Sequence, residues 1–142
     1  MQKTLKATEV RKQWSRFNDE VIRSGPRFVR RNRDEWAALN IGHLETILEN
    51  FILEVELFIE EDNSVTASFA DFDLVENGGT EEEALDFLTD ELIEYAEEYQ
   101  NNFNMYFNSP NRRPHFPYVL KVLSQDTKEE VKSLIRCRAG KR

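Results

Sequence analysis

The charge of this chain is divided along its length, and that division limits both how the chain can fold and what it can bind. Residues 1–43 carry ten Lys or Arg against five Asp or Glu. Leu44 to Ser109 then contains 19 Asp or Glu and no Lys or Arg, before a mixed C-terminal stretch that ends in several cations. A folded form of this chain is therefore expected to present a basic head, a strongly negative middle and a mixed tail to its partners.

The composition supplies enough apolar material for a folded core. Hydrophobic residues make up 39% of the 142 residues and aromatic residues 11%, in spite of 32% charge. No run approaches the roughly 18 apolar residues of a membrane span, and Met1 to Thr4 lacks the apolar run of a signal peptide. We therefore expect a globular cytoplasmic protein with no membrane partner.

The single Cys137 cannot form an internal disulfide, and nothing near it in sequence supplies a catalytic partner.

The first 50 residues predict a small module built from a strand, helices and a hairpin. Thr8 is a plausible N-cap for a helix with one apolar face, which Gly25 and Pro26 should end. The polar turn at 30–34 gives the hairpin a cationic tip, and a further helix from Leu44 leads out of the module. A module with so little apolar surface is expected to gain stability by forming a homodimer. Its strands are expected at residues 4–6, 28–29 and 36–41.

From residue 52 the apolar pattern predicts a second module of order β-β-β-α-β. Thr80 and Glu83 form a capping-box pattern. In this pattern the Thr80 hydroxyl accepts a hydrogen bond from the Glu83 amide, and the Glu83 carboxylate accepts one from the Thr80 amide. The helix opened by this box runs to about residue 100, and Thr127 is expected to cap a final short helix. The chain is therefore predicted to be α+β, with strands of the second module at residues 52–59, 65–69, 72–75 and 118–123, and with domains 1–50, 51–126 and 127–142.

The N-terminal residues resemble a known family. The sequence Lys6-Ala7-Thr8-Glu9-Val10-Arg11-Lys12-Gln13-Trp14-Ser15, followed by Gly25-Pro26 and the basic hairpin, is similar to the Phd/YefM antitoxins. The family pattern is a strand, a helix of the form A-x-x-x-R-x-x-[FW] and a hairpin rich in basic residues. The resemblance covers residues 1–50, and it implies a module that forms dimers and binds its own operator DNA.

The second half resembles the HicB-type antitoxin domain, a partial RNase H-like fold. The resemblance rests on residues 60–67, on residues 77–85 and on the order of the elements over residues 52–124. Ala70-Asp71-Phe72-Asp73-Leu74-Val75 departs from the Pro-Asp-Leu-Pro-Gly-Cys segment of a typical member. The resemblance therefore implies an antitoxin domain without implying the usual HicA-type toxin.

The basic head contains the candidate residues for DNA binding. DNA binding needs cations that neutralise phosphates and an element thin enough to enter a groove. A dimer would double the basic face across a symmetry axis suited to a palindromic operator. The alternative is a solvated basic face without a ligand. The candidate DNA-binding residues are Lys3, Lys6, Arg11, Lys12, Arg16, Arg27, Arg30, Arg31 and Arg33.

The acidic helix after Thr80 and the aromatic residues that follow it contain the candidates for toxin binding. RNA-cleaving toxins are commonly basic because they must hold RNA, so an acidic partner can steer association and compete for the RNA site. Aromatic side chains carry most interface energy when they are exposed, although these aromatics can equally cap the core. The candidate toxin-binding residues are Glu91, Glu94, Glu98, Phe103, Met105, Tyr106 and Phe107.

These residues and resemblances predict the antitoxin of a type II toxin-antitoxin system. Such a protein would neutralise a basic toxin, of the RelE kind or another RNA-cleaving kind, and would autorepress its operon as a non-enzymatic homodimer without cofactor or metal. One alternative is a free-standing DNA-binding regulator that has no toxin. A third class is a divalent-metal nuclease, whose candidate metal ligands are Asp71, Asp73 and Glu76 together with Glu60, Glu61 and Asp62. His43 and His115 lie beside turn residues without a metal or acid-base motif, and surface or boundary positions are expected for both.

Overall fold

The computed structural model describes residues 4–141 and confirms the expected α+β fold. Within these residues there are seven α-helices and two sheets, one of three strands and one of four. The chain divides into two compact units between Ile47 and Leu48. The part up to Ile47 is called the N-terminal unit below, and the part from Leu48 is called the C-terminal unit.

The N-terminal unit combines a three-stranded sheet with short helices. Its elements are β1 (Leu5–Lys6), α1 (Ala7–Lys12), α2 (Trp14–Ser24), β2 (Arg27–Arg31), β3 (Asp34–Ala38) and α3 (Ile41–Leu48), of which only Leu48 belongs to the C-terminal unit. The strand order is β1-β2-β3, with β1 parallel and β3 antiparallel to β2. The buried core of this unit is small and consists of Val10, Phe17, Val21 and Val29.

The first helical segment differs from the sequence prediction at its start and near its middle. The expected cap at Thr8 is wrong, because α1 begins at Ala7, directly after Lys6. Lys6 still has an extended backbone that pairs with Arg30 in the sheet, so the sheet fixes where the helix begins. Gln13, with φ −119° and ψ 43°, then separates α1 from α2. Gly25 follows the end of α2 as predicted, and its φ of +107° lies in the region that favours glycine.

The C-terminal unit packs helices on a mixed four-stranded sheet. Its elements are β4 (Leu53–Ile59), β5 (Val65–Phe69), β6 (Val75–Gly78), α4 (Glu81–Asn101), α5 (Phe103–Phe107), α6 (Phe116–Leu123), α7 (Lys128–Leu134) and β7 (Ile135–Ala139). The strand order is β6-β5-β4-β7, and β7 is the strand that runs parallel to its neighbour. The long helix α4 contacts β5, β6, α6 and α7, so it forms the centre of the core.

The start of α4 largely follows the capping pattern in the sequence. The Thr80 hydroxyl accepts a hydrogen bond of 3.1 Å from the Glu83 amide, as predicted. The Glu83 carboxylate accepts the amide of Gly79 at 3.2 Å, one residue before the predicted donor. Gly78 lies so close to the first turn of α4 that an added Cβ would be 2.5 Å from the Ala84 nitrogen. Glycine at this position therefore lets β6 pass against the helix start.

The predicted strand over residues 118–123 is wrong, because these residues belong to helix α6. A run of apolar residues fits a buried strand and a buried helix equally well. Pro117 lies in the first helical turn, where no amide donor is needed, and the buried Val119 and Val122 are three residues apart on one helix face. The strand beside β4 is supplied instead by β7, which the sequence prediction missed.

The third strand of the sheet is shifted from its predicted position at residues 72–75 to β6 at Val75–Gly78. The Phe69 amide donates to the Leu74 carbonyl at 3.1 Å, which closes a tight connection before β6. Phe72 is buried in that connection, where its ring contacts the rings of Tyr95 and Tyr118. Its apolar character therefore anchors a loop rather than marking a strand.

Candidate functional site

The candidate DNA-binding residues that the structure describes lie on α1, on α2, on the strands of the small sheet and in the turn between β2 and β3. Lys6 of β1 pairs directly with Arg30 of β2, so their side chains extend from the same face of the sheet. Arg31 extends from the opposite face, which also carries the buried Val29. Arg33 lies in the turn between β2 and β3. The small sheet therefore carries Lys6 and Arg30 on one face and Arg31 on the other.

A subset of these cations has no carboxylate partner. Lys6, Arg11, Lys12, Arg31 and Arg33 are exposed, and none of them forms an ion pair within residues 4–141. Their charges are therefore available to a polyanion. Lys3, the remaining candidate in the basic head, lies outside the described residues.

The other candidate arginines are held by neighbouring carboxylates. Glu20 pairs with Arg16 at 3.0 Å and with Arg27 at 3.5 Å. Arg27 also donates to the carbonyls of Gly25 and Pro26, each at 3.1 Å, which directs its side chain back to the start of β2. Arg30 donates from Nε to Glu35 at 2.9 Å. Exposed pairs such as those of Arg16 and Arg30 contribute about 0–1 kcal/mol, so a phosphate can compete for these arginines.

The N-terminal unit also exposes large apolar side chains. Trp14 stacks on Phe17 with ring centroids 5.7 Å apart, and Trp36 meets the edge of Phe17 at 6.3 Å. Both tryptophans are nonetheless exposed, although Phe17 is buried. Large exposed apolar side chains of this kind offer surface for an interaction. The large exposed apolar residues of this unit are Trp14, Ile22, Phe28, Trp36, Ile41 and Ile47.

The three candidate acids on α4 occupy different environments. Glu94 is exposed and has no ion pair among the residues that the structure describes. Glu98 is exposed and accepts a hydrogen bond from the Tyr106 hydroxyl at 2.8 Å. Glu91 is half-buried, and burial together with the nearby Glu76 raises the pKa of its carboxyl above the ordinary value. Glu94 is therefore the candidate whose charge is most available to a partner.

The candidate aromatic segment after α4 serves mainly as core. Tyr106 is only 7% exposed, and Phe103 and Phe107 are half-buried against the core cluster. Phe103 and Phe107 also stack with ring centroids 5.2 Å apart. Met105 is the exception, because 62% of it is exposed. Of the four candidates in this segment, Met105 is thus the side chain that a partner can reach.

A cavity of about 330 Å³ lies beside this segment and was not anticipated from the sequence. The Tyr95 hydroxyl and His115 Nδ1 form a hydrogen bond of 2.7 Å at its wall, and the Phe72 ring lies 4.7 Å from the His115 ring. His115 is half-buried, as its predicted boundary position implies, and its ring forms part of an aromatic wall that the sequence did not indicate. The lining residues are Phe72, Asp73, Leu74, Tyr95, Glu98, Tyr106, Asn111, Arg112 and His115.

Burial sets the protonation of the groups at this cavity. Burial raises the pKa of Tyr95 to about 12, with further upward contributions from Tyr99, Tyr106 and Glu98, so its hydroxyl keeps its proton. Burial lowers the pKa of His115, although Asp73 and Asp71 act in the opposite direction. Neutral His115 and protonated Tyr95 are consistent with the hydrogen bond that joins them. The sequence signal for this cavity was the pair Arg112-Arg113, which follows shortly after the aromatic-rich residues 103–107.

Within residues 4–141, no group of three or more His, Cys, Asp or Glu side chains is placed to hold a metal ion. The acids proposed for a nuclease, Asp71, Asp73 and Glu76, are therefore not assembled into such a group. No helix in the same part of the chain has the length and apolar character needed to cross a membrane.

Comparisons with known proteins assign the chain to a family. A family model, PHD_like, described as antitoxin of toxin-antitoxin, RelE / RelB, TA system, matches residues 1–137. The chain belongs to this family of antitoxins. A crystal structure from Syntrophomonas wolfei subsp. wolfei, described as the antitoxin part of a toxin/antitoxin system, is similar with a TM-score of 0.88 and 36% sequence identity. That similarity covers 98% of this chain and 100% of the other. No curated protein matches the chain.

The family membership confirms that the chain belongs to a toxin-antitoxin system and implies a cognate toxin as its partner. The family also points to a non-enzymatic role. That the first half is Phd/YefM-like and the second half is HicB-like stays a prediction.

Proposed function

We propose that this antitoxin binds operator DNA as a homodimer through its N-terminal unit and neutralises a basic, RNA-cleaving toxin through its C-terminal unit. DNA binding would autorepress the operon. The observation that carries the proposal is a set of exposed cations in the N-terminal unit that form no ion pair with any described residue, in a chain whose net charge is −8. Uncompensated cations concentrated in one unit of an acidic protein fit a polyanionic ligand.

The homodimer is supported by the apolar surface of the N-terminal unit. Its core of four buried side chains is small for an independent fold, while the exposed large apolar residues of this unit, Trp14 and Trp36 among them, offer area for a second copy. A second copy would also repeat the cations across a two-fold axis, as a palindromic operator requires.

Toxin binding is supported by the state of the acids in the C-terminal unit. Part of the negative charge is used internally, because Lys128 bridges Asp86 at 2.8 Å and Asp90 at 2.9 Å. Arg138 likewise pairs with Glu54 and Glu56. Other acids of α4, such as Glu94 and Glu97, have no ion pair in the described part of the chain. These remaining charges fit a basic partner.

DNA binding is tested by titrating the chain's own promoter DNA at increasing salt. If four phosphates per protomer are neutralised, the log-log slope for a dimer should be about −7, at roughly −0.9 per phosphate. The double substitution Arg31→Ala and Arg33→Ala should weaken binding and reduce the magnitude of the slope by about 3–4. Arg23→Ala is the matched control, because Arg23 is an exposed arginine of α2 outside the candidate set. Binding that is insensitive to salt, or equal loss in the control, would contradict the proposal.

Toxin binding is tested with the protein encoded by the adjacent reading frame, by co-purification and then by measured affinity. Glu94→Lys should lower the affinity about tenfold, mainly through slower association, because it reverses a charge on the proposed surface. Glu61→Lys, the same reversal in the exposed turn between β4 and β5, should have a much smaller effect. Promoter binding without any toxin complex would favour the free-standing regulator instead.

A further inference from the structure

The cavity beside α4 already contains one cation, the chain's own Arg112. The guanidinium carbon of Arg112 lies 4.2 Å from the centroid of the Tyr106 ring, and both residues line the cavity. The face of an aromatic ring attracts a guanidinium group because its π electrons are partially negative. The wall formed by Tyr106 is therefore a surface on which a guanidinium group is stable.

The charges around the cavity favour a cation as its ligand. Asp73 and Glu98 both line it, and neither forms an ion pair among residues 4–141. The lowered pKa of His115 keeps that ring neutral near pH 7. Among the lining residues, the carboxylates of Asp73 and Glu98 thus exceed the single positive charge of Arg112, so the cavity repels anions and attracts cations.

The size of the cavity fits one long side chain. Its volume of about 330 Å³ is at the lower end of the roughly 300–1,000 Å³ found for ligand pockets. Aromatic side chains and carboxylates in one lining suit a planar guanidinium group, which combines ring stacking with directed hydrogen bonds. An arginine side chain meets both requirements.

The backbone of Arg112 has hydrogen bonds that do not involve its side chain. The Arg112 amide donates a hydrogen bond to the Ser109 carbonyl at 3.0 Å, and the Arg112 carbonyl accepts one from the Tyr99 hydroxyl at 2.9 Å. The contact with the Tyr106 ring is therefore exchangeable for an equivalent contact with another guanidinium group.

We propose that this cavity receives an arginine side chain of the toxin, and that Arg112 occupies the Tyr106 wall until the toxin arginine displaces it. The inference rests on the proposed function, because it names the kind of toxin side chain that the acidic unit recognises. Arg112 acts as an internal competitor, so its removal strengthens the binding of an external arginine.

The cavity is tested first with a probe that does not depend on the toxin. Nα-acetyl-arginine amide is titrated into the full-length protein and followed by NMR chemical shifts of the cavity residues. Arg112→Ala should bind this probe roughly fivefold more tightly than the unmodified chain, because the ring face becomes free. Nα-acetyl-citrulline amide, which has a similar shape without the charge, should not bind. Equal or weaker arginine binding by Arg112→Ala, or binding by neither protein, overturns the proposal.

A matched control separates the cavity from arginine loss in general. Arg113 lies over the Phe107 ring, with its guanidinium carbon 4.6 Å from the ring centroid, and does not line the cavity. Arg113→Ala should therefore leave probe affinity unchanged. Asp73→Asn should lower probe affinity about threefold, whereas Asp71→Asn, two residues away and outside the lining, should change it less.

The same variants are then measured in complex with the toxin. Arg112→Ala should strengthen the complex and Asp73→Asn should weaken it about threefold, with Arg113→Ala unchanged. If the toxin binds and none of these substitutions alters its affinity, the cavity proposal is wrong and the antitoxin proposal stands. If the toxin does not bind the unmodified chain, the antitoxin proposal fails, and the arginine titration still decides whether the cavity holds a guanidinium group.

Discussion

At the scale of single residues, arginines of one small hairpin divide into paired and unpaired side chains. Arg30 pairs with Glu35, which lies opposite it in the β2–β3 register. Arg31 is opposite Asp34 in the same register, yet no ion pair joins them in the described residues. The sequence predicted all of these cations as one group, because their pairing depends on side-chain direction, which residue type alone does not determine.

Glu91 is a residue whose charged form is disfavoured in the folded chain. Burial and the neighbouring Glu76 raise the pKa of Glu91 above its ordinary value. A carboxyl whose pKa is higher in the folded state stabilises the fold below its unfolded pKa, and that contribution is lost as the pH rises through the folded pKa. We therefore expect Glu91→Gln to raise the Tm by about 1–3 °C at pH 7.5 and to give no gain at pH 4.

The measurement is thermal unfolding at both pH values. Glu94→Gln serves as the control, because Glu94 is exposed on the same helix, and it should give little change at either pH. A lower Tm for Glu91→Gln at pH 7.5 would mean that the ionised carboxylate is stabilising, contrary to this account.

At the scale of elements, helix capping gives the most direct link between sequence and stability. The Thr80 hydroxyl accepts a hydrogen bond from the Glu83 amide at the start of α4, which is the helix at the centre of the larger core. Loss of such a cap typically destabilises by about 1 kcal/mol, so Thr80→Ala should lower the Tm of the C-terminal unit by about 4–8 °C. Thr8→Ala should leave stability almost unchanged, because Thr8 lies inside α1 and caps nothing. Equal losses for both substitutions in a thermal melt would contradict this assignment.

The elements that the sequence predicted well have local signals, and the missed ones depend on distant partners. The cap of α7 at Thr127 follows from neighbouring residues and is confirmed, with the Thr127 hydroxyl accepting the Glu130 amide at 3.1 Å. By contrast, β7 carries alternating arginines and becomes a strand through pairing with β4, where Arg138 reaches Glu54 and Glu56. Those partners are far away in sequence, so no local pattern indicates them.

Helix α6 and the cavity were missed for a related reason. An apolar run such as residues 118–123 is compatible with two kinds of secondary structure, and burial decides between them. The cavity needs Phe72 from a loop, Tyr95 from α4 and His115 from the segment before α6 to lie together. Tertiary packing creates that arrangement, so the sequence could supply the residue types but not the site.

At the scale of the whole molecule, the division of charge in the sequence becomes a division between two compact units. This feature was predictable because each unit is continuous in sequence and keeps the charges of its own segment. The two units also differ in core size, since the N-terminal core has four buried side chains and the C-terminal core has fifteen in the described residues. The smaller unit is therefore the one expected to depend on a second copy for stability.

The most direct test of this division of roles is amide hydrogen exchange measured by mass spectrometry on the full chain. The protein is compared alone, with its promoter DNA, and with the protein encoded by the adjacent reading frame. DNA should slow exchange in α1 and the β2–β3 hairpin, and the toxin should slow exchange in α4 and residues 102–115. Protection by DNA confined to the C-terminal unit, or protection by the toxin confined to the N-terminal unit, would contradict the account.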